Sequence, residues 1–393
     1  MGVAAVACAD VLEDRIGAID WSLTDVDPPH AIHGLHSYPA KFVPALPQKL
    51  IELLSKPGDL VLDPFCGSGT ALVEAIRLGR RAIGGDLNPV AVVSSLAKTR
   101  RLSPAQLERL RDIGEGIEDA TRDVLAYEPL KLPAGWEPAP GQRFRGLKFW
   151  FSEEVAYELS ALRSVCVAEA DPDLEAVLLA CLSSIVVNVS WQDSDTRYVR
   201  RDKSVQAGDA ARLLRRKISF AADALADLAK TICAPAEVHE GDARTCDYAQ
   251  PESVSLVVTS PPYPNAWSYH LYHQNRILWL GADPWLFKGQ EIGNHRAYSA
   301  SNGSDGETFG TDMTTCFRAL RPSLKADAHV VVVVGDSIVR GDVVRNDEVV
   351  VAAAEAAGLR PVVALGRPID TRRKAFNPKI GKIRTEHLLV FRA

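Results

Sequence analysis

The sequence predicts an α/β protein with a doubly wound, mostly parallel sheet that is interrupted by a helical insertion. Strand and helix patterns alternate over residues 59–100. Over residues 103–231 the periodicity is mainly helical, and the alternation then resumes. Strand–helix–strand order implies parallel strands joined by crossover helices. We therefore expect residues 1–100 and 235–393 to form one split domain and residues 101–234 to form the insertion.

The first half of the expected sheet has two strands, each followed by a helix. The first apolar strand is Asp59–Asp63, and the helical pattern Thr70–Leu78 ends at a glycine. The second strand is Arg81–Asp86. A helix from Asn88 to about residue 100 is expected after it. Pro89 would take the first helical position, which suits proline. A further helix, Pro44–Leu54, precedes the first strand.

The second half of the sheet follows the insertion. Val254–Thr259 is an apolar run typical of a buried strand, and five consecutive valines within His329–Gly335 indicate a central strand. Residues 264–310 are rich in Trp, Tyr, His, Asn and Gly, so we expect a long functional loop region. The other expected elements are helices at Thr311–Leu324 and Glu348–Gly358 and strands at Pro361–Leu365 and Glu386–Phe391.

Composition excludes several classes of protein. Hydrophobic content of 47% and charged content of 24% are typical of a globular protein. The most apolar stretch, Leu174–Val189, is short and carries polar residues, so we expect a buried helix and no membrane span. We also expect no export signal. The seven cysteines include no C-x-x-C pair, which favours a reducing cytoplasm and predicts no disulfide framework and no metal site.

Positive charge is concentrated in two segments, although the net charge is −5. Residues 197–217 and residues 367–393 each contain eight Lys or Arg against two acids, a local charge of +6. Clustered cations can neutralise phosphates even on an acidic protein. The alternative interpretation is a solvated helix face and a surface loop.

A glycine-rich turn, Asp63-Pro64-Phe65-Cys66-Gly67-Ser68-Gly69-Thr70, follows the first strand. Its glycines let the backbone approach a ligand closely. Residue 72 is Leu, so the full dinucleotide fingerprint is absent, and the chain has no Gly-Lys-Ser/Thr phosphate loop. Asp86 ends the next strand, about where a carboxylate meets ribose hydroxyls in Rossmann-type sites. Its alternative role is to cap the following helix.

A second motif, Ser260-Pro261-Pro262-Tyr263, follows the strand Val254–Thr259. Open α/β sheets bind ligands at such strand ends. The Ser260 hydroxyl and the Pro261 carbonyl can accept hydrogen bonds from an amino group, and the two prolines fix the backbone. The Tyr263 ring can stack on a base. In isolation the motif is equally compatible with a rigid turn.

Together these motifs resemble those of S-adenosylmethionine (SAM) dependent methyltransferases that modify exocyclic amino groups of DNA bases. The resemblance covers roughly residues 33–98 and 237–393, with the cofactor half first and the catalytic half second. The Ser-Pro-Pro-Tyr sequence is most like the cytosine-N4 branch, whereas adenine-N6 enzymes mostly carry Asp in place of Ser260. The resemblance implies a Rossmann-like, seven-stranded methyltransferase sheet, SAM as cofactor and a base flipped out of the duplex.

The resemblance also implies a role for each motif. The segment from His36 to Phe42 is similar to the element that packs on the methionine end of SAM, and Asp242 is implied to lie near the adenine amino group. The implied cofactor-binding residues are His36, Tyr38, Lys41, Phe42, Asp63, Phe65, Gly67, Ser68, Gly69, Thr70, Asp86, Asn88 and Asp242. The implied catalytic residues are Ser260, Pro261, Pro262 and Tyr263. The residues expected to contact DNA are Arg197, Arg200, Arg201, Lys203, Arg372, Arg373 and Lys374.

The predicted function is therefore site-specific methylation of cytosine N4 in DNA, with the insertion as the target-recognition region. We expect a bacterial, cytoplasmic and nucleoid-associated protein, with a cognate restriction endonuclease as a candidate partner. Cytosine-C5 chemistry is not expected, because it uses a Cys after a Pro and the chain has no Pro-Cys dipeptide. Three alternatives remain open: an adenine-N6 DNA enzyme, a guanine-N2 RNA enzyme and an inactive DNA-binding module. The RNA enzymes usually carry Asp before Pro-Pro-Tyr and an N-terminal RNA-binding domain, and only about 30 residues precede the first motif here.

Overall fold

The computed structural model describes residues 12–127, 132–137, 144–265, 268–294, 298, 306–340, 342–368 and 385–393. The strands are β1 Leu60–Asp63, β2 Arg81–Asp86, β3 Gln192–Ser194, β4 Arg197–Arg200, β5 Glu237–Glu240, β6 Val254–Thr259, β7 Leu324–Gly335, β8 Ser337–Val339, β9 Asp342–Val344, β10 Arg360–Pro368 and β11 Thr385–Arg392. The helices are α1 (residues 12–17), α2 Ala45–Leu54, α3 Thr70–Arg77, α4 Pro89–Thr99, α5 Pro104–Tyr127, α6 Glu153–Val167, α7 Pro172–Ile185, α8 Asp209–Leu228, α9 Tyr269–Tyr272, α10 Gln274–Leu280, α11 Pro284–Gln290, α12 Gly306–Leu320 and α13 Asn346–Ala356.

Seven strands form one sheet in the order β10-β11-β7-β6-β1-β2-β5. The strands from β5 to β7 are parallel, and β11 lies antiparallel between β7 and β10. The chain first builds the sheet outward from β1 to β5 and then returns to place β6 on the other side of β1. The strand order therefore reverses between β1 and β6, and a crevice is expected at their carboxyl ends. The predicted seven-stranded, doubly wound sheet is confirmed.

Alternate residues of the central strands pack into two cores on opposite faces of the sheet, as the pleat requires. In β6, Leu256 and Val258 belong to the first core, and Val257 belongs to the second. The first core also contains Leu159, Leu178 and other buried side chains of α5–α8. The helices between α4 and β5 therefore pack directly on one face of the sheet. That residues 101–234 form a distinct target-recognition region remains a prediction.

The strands β2 and β6 have the bounds that the sequence predicts, and Leu174–Val189 lies mostly in the buried helix α7. Two hairpins, β3–β4 and β8–β9, were not predicted. The expected loop at residues 264–310 is wrong in its described part, which contains α9, α10 and α11. These helices have four to seven residues each, too few for a helical repeat to show in the sequence. In the described residues, no helix combines the length and apolar character needed to cross a membrane.

Candidate active site

A cavity opens at the carboxyl ends of β1, β2, β5 and β6, where the strand order reverses. Its volume is about 800 Å³ including the solvent at its mouth. It is lined by Tyr38, Ala40, Lys41, Phe42, Asp63, Pro64, Phe65, Cys66, Gly67, Ser68, Thr70, Asp86, Leu87, Asn88, Gly241, Asp242, Ala243, Ser260, Pro262, Tyr269, Phe287, Glu291 and Ile292. The structure thus brings together the residues predicted to bind the cofactor, except His36 and Gly69.

The glycine-rich turn after β1 is held by α4. The Ser95 hydroxyl donates a hydrogen bond of 2.8 Å to the Gly67 carbonyl, and Lys98 Nζ donates one of 3.1 Å to the Ser68 carbonyl. Gly69 has a φ of +77°, and a Cβ at this position would lie 2.9 Å from Ser95 Oγ. Gly69 therefore lets α4 approach the turn and does not itself line the cavity.

The Asp86 carboxylate lies at the end of β2 and accepts two backbone hydrogen bonds. Its Oδ2 accepts from the Gly67 N–H and its Oδ1 from the Asn88 N–H, each at 2.9 Å. Burial raises the pKa of Asp86 to about 6, although these hydrogen bonds favour the charged form. The side chain that caps α4 is Asn88, whose Oδ1 accepts from the Val90 N–H at 3.1 Å. Asn88, and not Asp86, therefore caps α4.

Asp63 is a second buried acid on this wall of the cavity. Its Oδ1 accepts hydrogen bonds from the Thr259 hydroxyl at 2.6 Å and from the Phe65 N–H at 3.1 Å. Burial raises the pKa of Asp63 to about 7. Asp63 and Asp86 thus change charge near neutral pH, and a cationic ligand would favour their ionised forms.

Tyr38 and Lys41 enter the cavity from the segment before α2. The Tyr38 hydroxyl accepts a hydrogen bond from Asn88 Nδ2 at 3.1 Å, and its ring stacks on Tyr269 with the centroids 5.9 Å apart. Lys41 Nζ donates to the His33 carbonyl at 3.1 Å. Burial lowers the pKa of Lys41.

His36 lies away from the cavity, so its predicted contact with the cofactor is not met. Its Nδ1 donates to the Ser37 carbonyl at 2.7 Å, and its Nε2 accepts from the hydroxyl of Ser183 in α7 at 3.0 Å. Burial keeps the pKa of His36 well below its usual range. The neutral imidazole therefore joins this segment to α7.

Asp242 lines the cavity after β5, but its carboxylate already has a partner. The Arg244 guanidinium contacts both carboxylate oxygens at 2.7–3.0 Å and reaches Asp312 at 3.1 Å. Asp242 Oδ1 also accepts from the Arg244 N–H at 2.9 Å, which closes a turn. Asp242 therefore both closes a turn and lines the cavity.

The Ser-Pro-Pro-Tyr motif follows β6, and its members face different ways. Ser260 and Pro262 line the cavity, whereas Pro261 is buried. The Tyr263 ring, which we expected to stack on a base, instead packs against the second core. Its hydroxyl lies 3.4 Å from Ser260 Oγ and 3.5 Å from the Val333 carbonyl oxygen. In this arrangement Tyr263 contacts Ser260 and does not reach the cavity.

A glycine after α11 packs on the backbone of this motif. Gly293 has a φ of +73°, and a Cβ there would lie 2.8 Å from the Tyr263 carbonyl oxygen and 3.0 Å from that of Pro262. The Gly293 carbonyl accepts from the Asn265 N–H at 3.1 Å. Any side chain at position 293 would therefore displace the carbonyl of Pro262 or Tyr263.

Four residues of the segment 268–294 complete the cavity and were not assigned to it from the sequence: Tyr269, Phe287, Glu291 and Ile292. The Glu291 side chain is 3% exposed, and its Oε2 lies 2.6 Å from His270 Nδ1 and 3.1 Å from Asn294 Nδ2. Its Oε1 accepts from the Tyr269 N–H. Burial raises the pKa of Glu291. The abundance of aromatic residues had marked this segment as functional, but no sequence signal distinguishes Glu291 from a surface acid.

The predicted DNA-contacting residues in the insertion are at the hairpin β3–β4 and just after it. Arg197 and Arg201 are exposed, and both contact Asp193, at 3.2 and 3.3 Å. Arg200 lies over two aromatic rings, and Lys203 Nζ donates to a backbone carbonyl at 2.8 Å. The other three, Arg372, Arg373 and Lys374, lie outside the described residues.

Buried polar side chains join this hairpin to α10. The Arg276 side chain is 1% exposed, pairs with Asp195 and donates from Nε to the Ser183 carbonyl at 2.9 Å. Asn275 Nδ2 donates to Gln192 Oε1 at 3.0 Å. The hairpin is therefore fixed to the segment that also forms one wall of the cavity.

His273 continues this connection to the cavity. Its Nδ1 accepts from Asn88 Nδ2 at 2.8 Å, and Asn88 also contacts Tyr38. Burial lowers the pKa of His273 to about 3, so the ring is neutral and can accept.

One group of described residues, Asp336, Asp347 and His387, has the donor atoms and spacing of a metal site. The Arg345 guanidinium already contacts both acids, with nitrogens 3.7 Å from Asp336 Oδ1 and 2.9 Å from Asp347 Oδ2. This cation offsets the charge that would attract a metal ion, and we assign none to the group.

A protein family described as DNA methylase matches residues 10–96 of the chain. The chain is 35% identical over 163 residues to the Type II methyltransferase M.MvaI of Kocuria varians, a match that covers 40% of the chain and 34% of that protein. It is 42% identical over 145 residues to a tRNA (guanine(10)-N2)-dimethyltransferase of Methanothermobacter thermautotrophicus, covering 36% of the chain and 42% of that protein. The matches to the first relatives span from about a fifth to about half of those proteins.

Among solved structures, the rRNA methyltransferase aviRa of Streptomyces viridochromogenes aligns with 94% of the chain and 94% of its own length. The TM-score is 0.37 and the identity is 15%. The fold described above therefore rests on the order and direction of the chain's own strands.

Proposed function

We propose that the chain, whose residues 10–96 match the DNA methylase family and which is 35% identical to M.MvaI over 163 residues, transfers a methyl group from SAM to the exocyclic N4 amino group of a flipped cytosine in DNA. The observation that carries the proposal is the position of Ser260. It stands at the end of β6, in the same cavity as the glycine-rich turn and Asp86. A methyl donor bound at the glycine-rich turn and Asp86 would face a methyl acceptor bound at Ser260, in the crevice where the strand order reverses.

The cavity suits a cofactor with a ribose and a positive charge. The Asp86 carboxylate is fixed by two N–H groups at the place where ribose hydroxyls bind in Rossmann-type sites. Asp63, Asp86 and Glu291 are three acids on the lining, and all have raised pKa values because of burial. A cation in the cavity would stabilise their ionised forms. SAM supplies a methyl group on a positively charged sulfur, and its ribose and charge match this lining.

Ser260 would orient and activate the amino group. An exocyclic amino nitrogen is a poor nucleophile because its lone pair is delocalised into the ring. Acceptors that receive its N–H hydrogens draw the lone pair back to nitrogen, and the Ser260 Oγ is placed on the cavity wall to do so. The Tyr263 hydroxyl, 3.4 Å from Ser260 Oγ, can donate to it and fix its orientation. The Pro261 carbonyl is the second proposed acceptor.

The choice of cytosine N4 over adenine N6 rests on Ser260. A serine offers one neutral oxygen in the position where adenine-N6 enzymes mostly carry a carboxylate. We therefore take the cytosine-N4 reaction as the leading assignment and the adenine-N6 reaction as the alternative within the same family.

DNA is the proposed substrate, and the insertion is proposed to carry its recognition. Arg197, on the hairpin that α10 fixes to the cavity wall, and Arg201, just after it, are exposed cations. Phosphate contacts by such residues supply affinity without base specificity. A cognate restriction endonuclease and a cytoplasmic, nucleoid-associated location belong to the same proposal.

One relative favours a second candidate. The tRNA (guanine(10)-N2)-dimethyltransferase shares 42% identity over 145 residues with this chain. An exocyclic amino group of guanine in RNA presents the same chemistry to Ser260, so the assay below includes tRNA.

The experiment incubates the purified protein with SAM and mixed-sequence duplex DNA, or with tRNA, and identifies methylated nucleosides by mass spectrometry. N4-methylcytosine is expected. N6-methyladenine would overturn the assignment of Ser260, and a product on tRNA alone would move the function to RNA.

The variant Ser260→Ala is expected to reduce turnover by at least about 100-fold, the range for removing a positioned catalytic hydrogen-bonding group, with SAM affinity unchanged. Ser255→Ala is the matched control. Ser255 lies five residues earlier, within β6, where its hydroxyl accepts from Lys325 Nζ at 2.9 Å outside the cavity. Equal losses in the two variants would contradict the role of Ser260.

A further inference from the structure

Arg200, at the end of β4, is held differently from the two other arginines at and just after the hairpin β3–β4. Its guanidinium carbon lies 4.1 Å from the centroid of the Trp191 ring and 5.0 Å from that of the Phe149 ring. Its Nη1 also donates to the Phe149 carbonyl at 2.8 Å. The Arg200 side chain is 34% exposed, compared with 67% for Arg197 and 73% for Arg201. The guanidinium of Arg200 is therefore fixed by two rings and remains partly open to solvent.

The two rings that contact this guanidinium are themselves anchored in the protein. The Trp191 N–H donates to the Trp150 carbonyl at 2.8 Å, and the Phe149 ring packs edge-on against the Trp150 ring with the centroids 4.9 Å apart. The Trp150 ring is buried and lies 4.5 Å from the Tyr198 ring. The Tyr198 hydroxyl donates to Gln274 Oε1 of α10 at 2.6 Å. Because α10 belongs to the segment that forms one wall of the cavity, these contacts fix the guanidinium relative to the cavity.

A guanidinium held in this way is better suited to a base than to a phosphate. Phosphate contacts carry no sequence information, and an exposed arginine such as Arg197 is sufficient for them. A guanine presents two acceptors, O6 and N7, at its edge in the major groove, and a guanidinium must be correctly oriented to donate to both. Because the rings restrict the Arg200 side chain before binding, less conformational freedom is lost when it donates to a base.

The N–H groups needed for such a contact are present. Within the described part of the chain, the Phe149 carbonyl is the only acceptor to which the Arg200 guanidinium donates a hydrogen bond. Asp202 Oδ1 lies 3.9 Å from its Nε, beyond hydrogen-bond distance, and the Asp202 side chain is 99% exposed. The planar group therefore keeps donors for two acceptors of one base.

We propose that Arg200 determines sequence specificity by donating to O6 and N7 of a guanine that flanks the target base, while Arg197 and Arg201 contact phosphates. The inference deepens the proposed function and rests on it, because it takes duplex DNA as the substrate. The flanking position follows from the attachment of the hairpin to α10 through Gln192 and Asn275. A hairpin fixed beside the cavity reaches bases close to the one that enters it.

The test methylates genomic DNA that carries no prior methylation with the full chain and SAM, and maps the methylated positions by sequencing that detects the modified base directly. The measured quantity is the ratio of methylation rates between sites that differ at one flanking position. We expect the wild-type protein to prefer guanine at one such position. Arg200→Met is expected to reduce that preference by about 10- to 100-fold, the range for one bidentate contact with a base. The ratio is measured within each preparation, so a partial loss of folded protein does not change it.

Arg197→Met is the matched control on the same hairpin. Loss of a phosphate contact is expected to slow methylation of all sites by a similar factor and to leave the preference for guanine unchanged. Arg200→Lys keeps the positive charge but not the planar group, so it is expected to lose most of the preference as well. This variant also provides the test if Arg200→Met does not fold.

An Arg200→Met protein with the wild-type preference would show that Arg200 is merely structural or contacts a phosphate, and this result would overturn the proposal. The full preference in Arg200→Lys would show that only the charge acts, which would also overturn it. The same holds for a wild-type protein that prefers guanine at no flanking position. Wild-type protein that methylates no DNA would instead refute the proposed function itself.

Discussion

The two walls of the cavity differ in what holds them. The cofactor wall, formed by residues 63–70 and 86–88, is fixed mostly by hydrogen bonds between side chains and backbone groups, such as those that Asp86 accepts from Gly67 and Asn88. Its long-range side-chain contacts include Asp63 with Thr259 and Asn88 with Tyr38 and His273. The transfer wall, formed by residues 260–263 and 268–294, is fixed by side chains that meet from distant parts of the chain. Arg276 with Asp195 and Asn275 with Gln192 are examples.

Because of this difference, we expect substitutions to affect the two walls differently. A contact made by a backbone group survives most substitutions around it, whereas a contact between two side chains is lost with either of them. Both walls contain buried polar atoms with no hydrogen-bond partner among the described residues: Ser68 Oγ in the cofactor wall, and His273 Nε2 and Gln274 Nε2 in the transfer wall. We therefore expect the transfer wall to be the more sensitive of the two and to depend on the insertion.

The largest expected effect is the loss of the Arg276–Asp195 pair. Arg276→Met leaves Asp195 without its partner and should lower the free energy of unfolding by about 3 kcal/mol, near the lower end for a buried pair because Asp195 is partly exposed. Urea denaturation measures this change. Replacing both residues, Arg276→Met with Asp195→Leu, should recover most of the loss.

The control for this prediction is Arg197→Met, which removes a pair between an exposed arginine and Asp193. It should cost no more than about 1 kcal/mol. A loss in Arg276→Met no larger than that of the control would contradict the idea that the hairpin and α10 support one another.

The next effect concerns the cofactor wall. Asp86→Asn keeps the shape of the side chain but removes the charge that accepts from Gly67 and Asn88, and hydrogen bonds to charged groups contribute about 1.5–3 kcal/mol. The affinity for SAM should therefore fall by about 10- to 100-fold, as measured by calorimetry. The exposed Asp247 provides the control variant Asp247→Asn. Unchanged affinity in Asp86→Asn would refute its proposed role with the ribose.

A smaller effect is expected from pH. The pKa of Asp63 is about 7 and that of Asp86 is about 6, so both carboxyls ionise as the pH rises from about 5 to about 8. The affinity for the cationic SAM should rise over that interval, and Asp86→Asn should remove the part near pH 6. A flat profile would show that neither acid titrates in the empty cavity.

The stability of the ligand-free protein should change with pH in the direction opposite to its affinity for SAM. The folded protein keeps protons on these acids that the unfolded chain loses above about pH 4, so the ligand-free protein should lose stability as the pH rises from about 4 to about 7.

The smallest effect concerns DNA. Asp193 pairs with Arg197 and Arg201 and competes with phosphates for both. Asp193→Asn should therefore raise DNA affinity about two- to threefold at low salt and steepen its dependence on salt concentration. Fluorescence anisotropy with a labelled duplex measures both quantities. Weaker binding by this variant would mean that Asp193 positions the arginines and does not compete for them.

The same contrast explains what could be predicted from the sequence. Asp63, Asp86 and Ser260 were found because Asp63 and Asp86 end strands of a parallel sheet and Ser260 directly follows one, and such strand ends meet at one edge. Glu291 and Tyr269 were missed because their place at the cavity depends on contacts across the fold, among them the stacking of Tyr269 on Tyr38. His36 was assigned to the cofactor from its position in the motif, but burial against α7 turned its ring away.

The roles of the motif residues were less predictable than their location. Tyr263 lies where the sequence places it, yet its ring packs against the second core and does not line the cavity. The basic segment at residues 197–203 is on the surface, but an intramolecular acid and two aromatic rings occupy three of its arginines. A count of charges in a sequence does not show which of them are already paired.

Gly293 has an evolutionary consequence. A single base change converts any glycine codon into one for alanine, and the added methyl group would press on the carbonyls of Pro262 and Tyr263. The cofactor wall lies elsewhere in the cavity and would keep its hydrogen bonds. Under the proposed function, a lineage that acquired this change would retain a protein that binds DNA and SAM but no longer methylates the base, so a DNA-binding protein without catalytic activity would arise in one step.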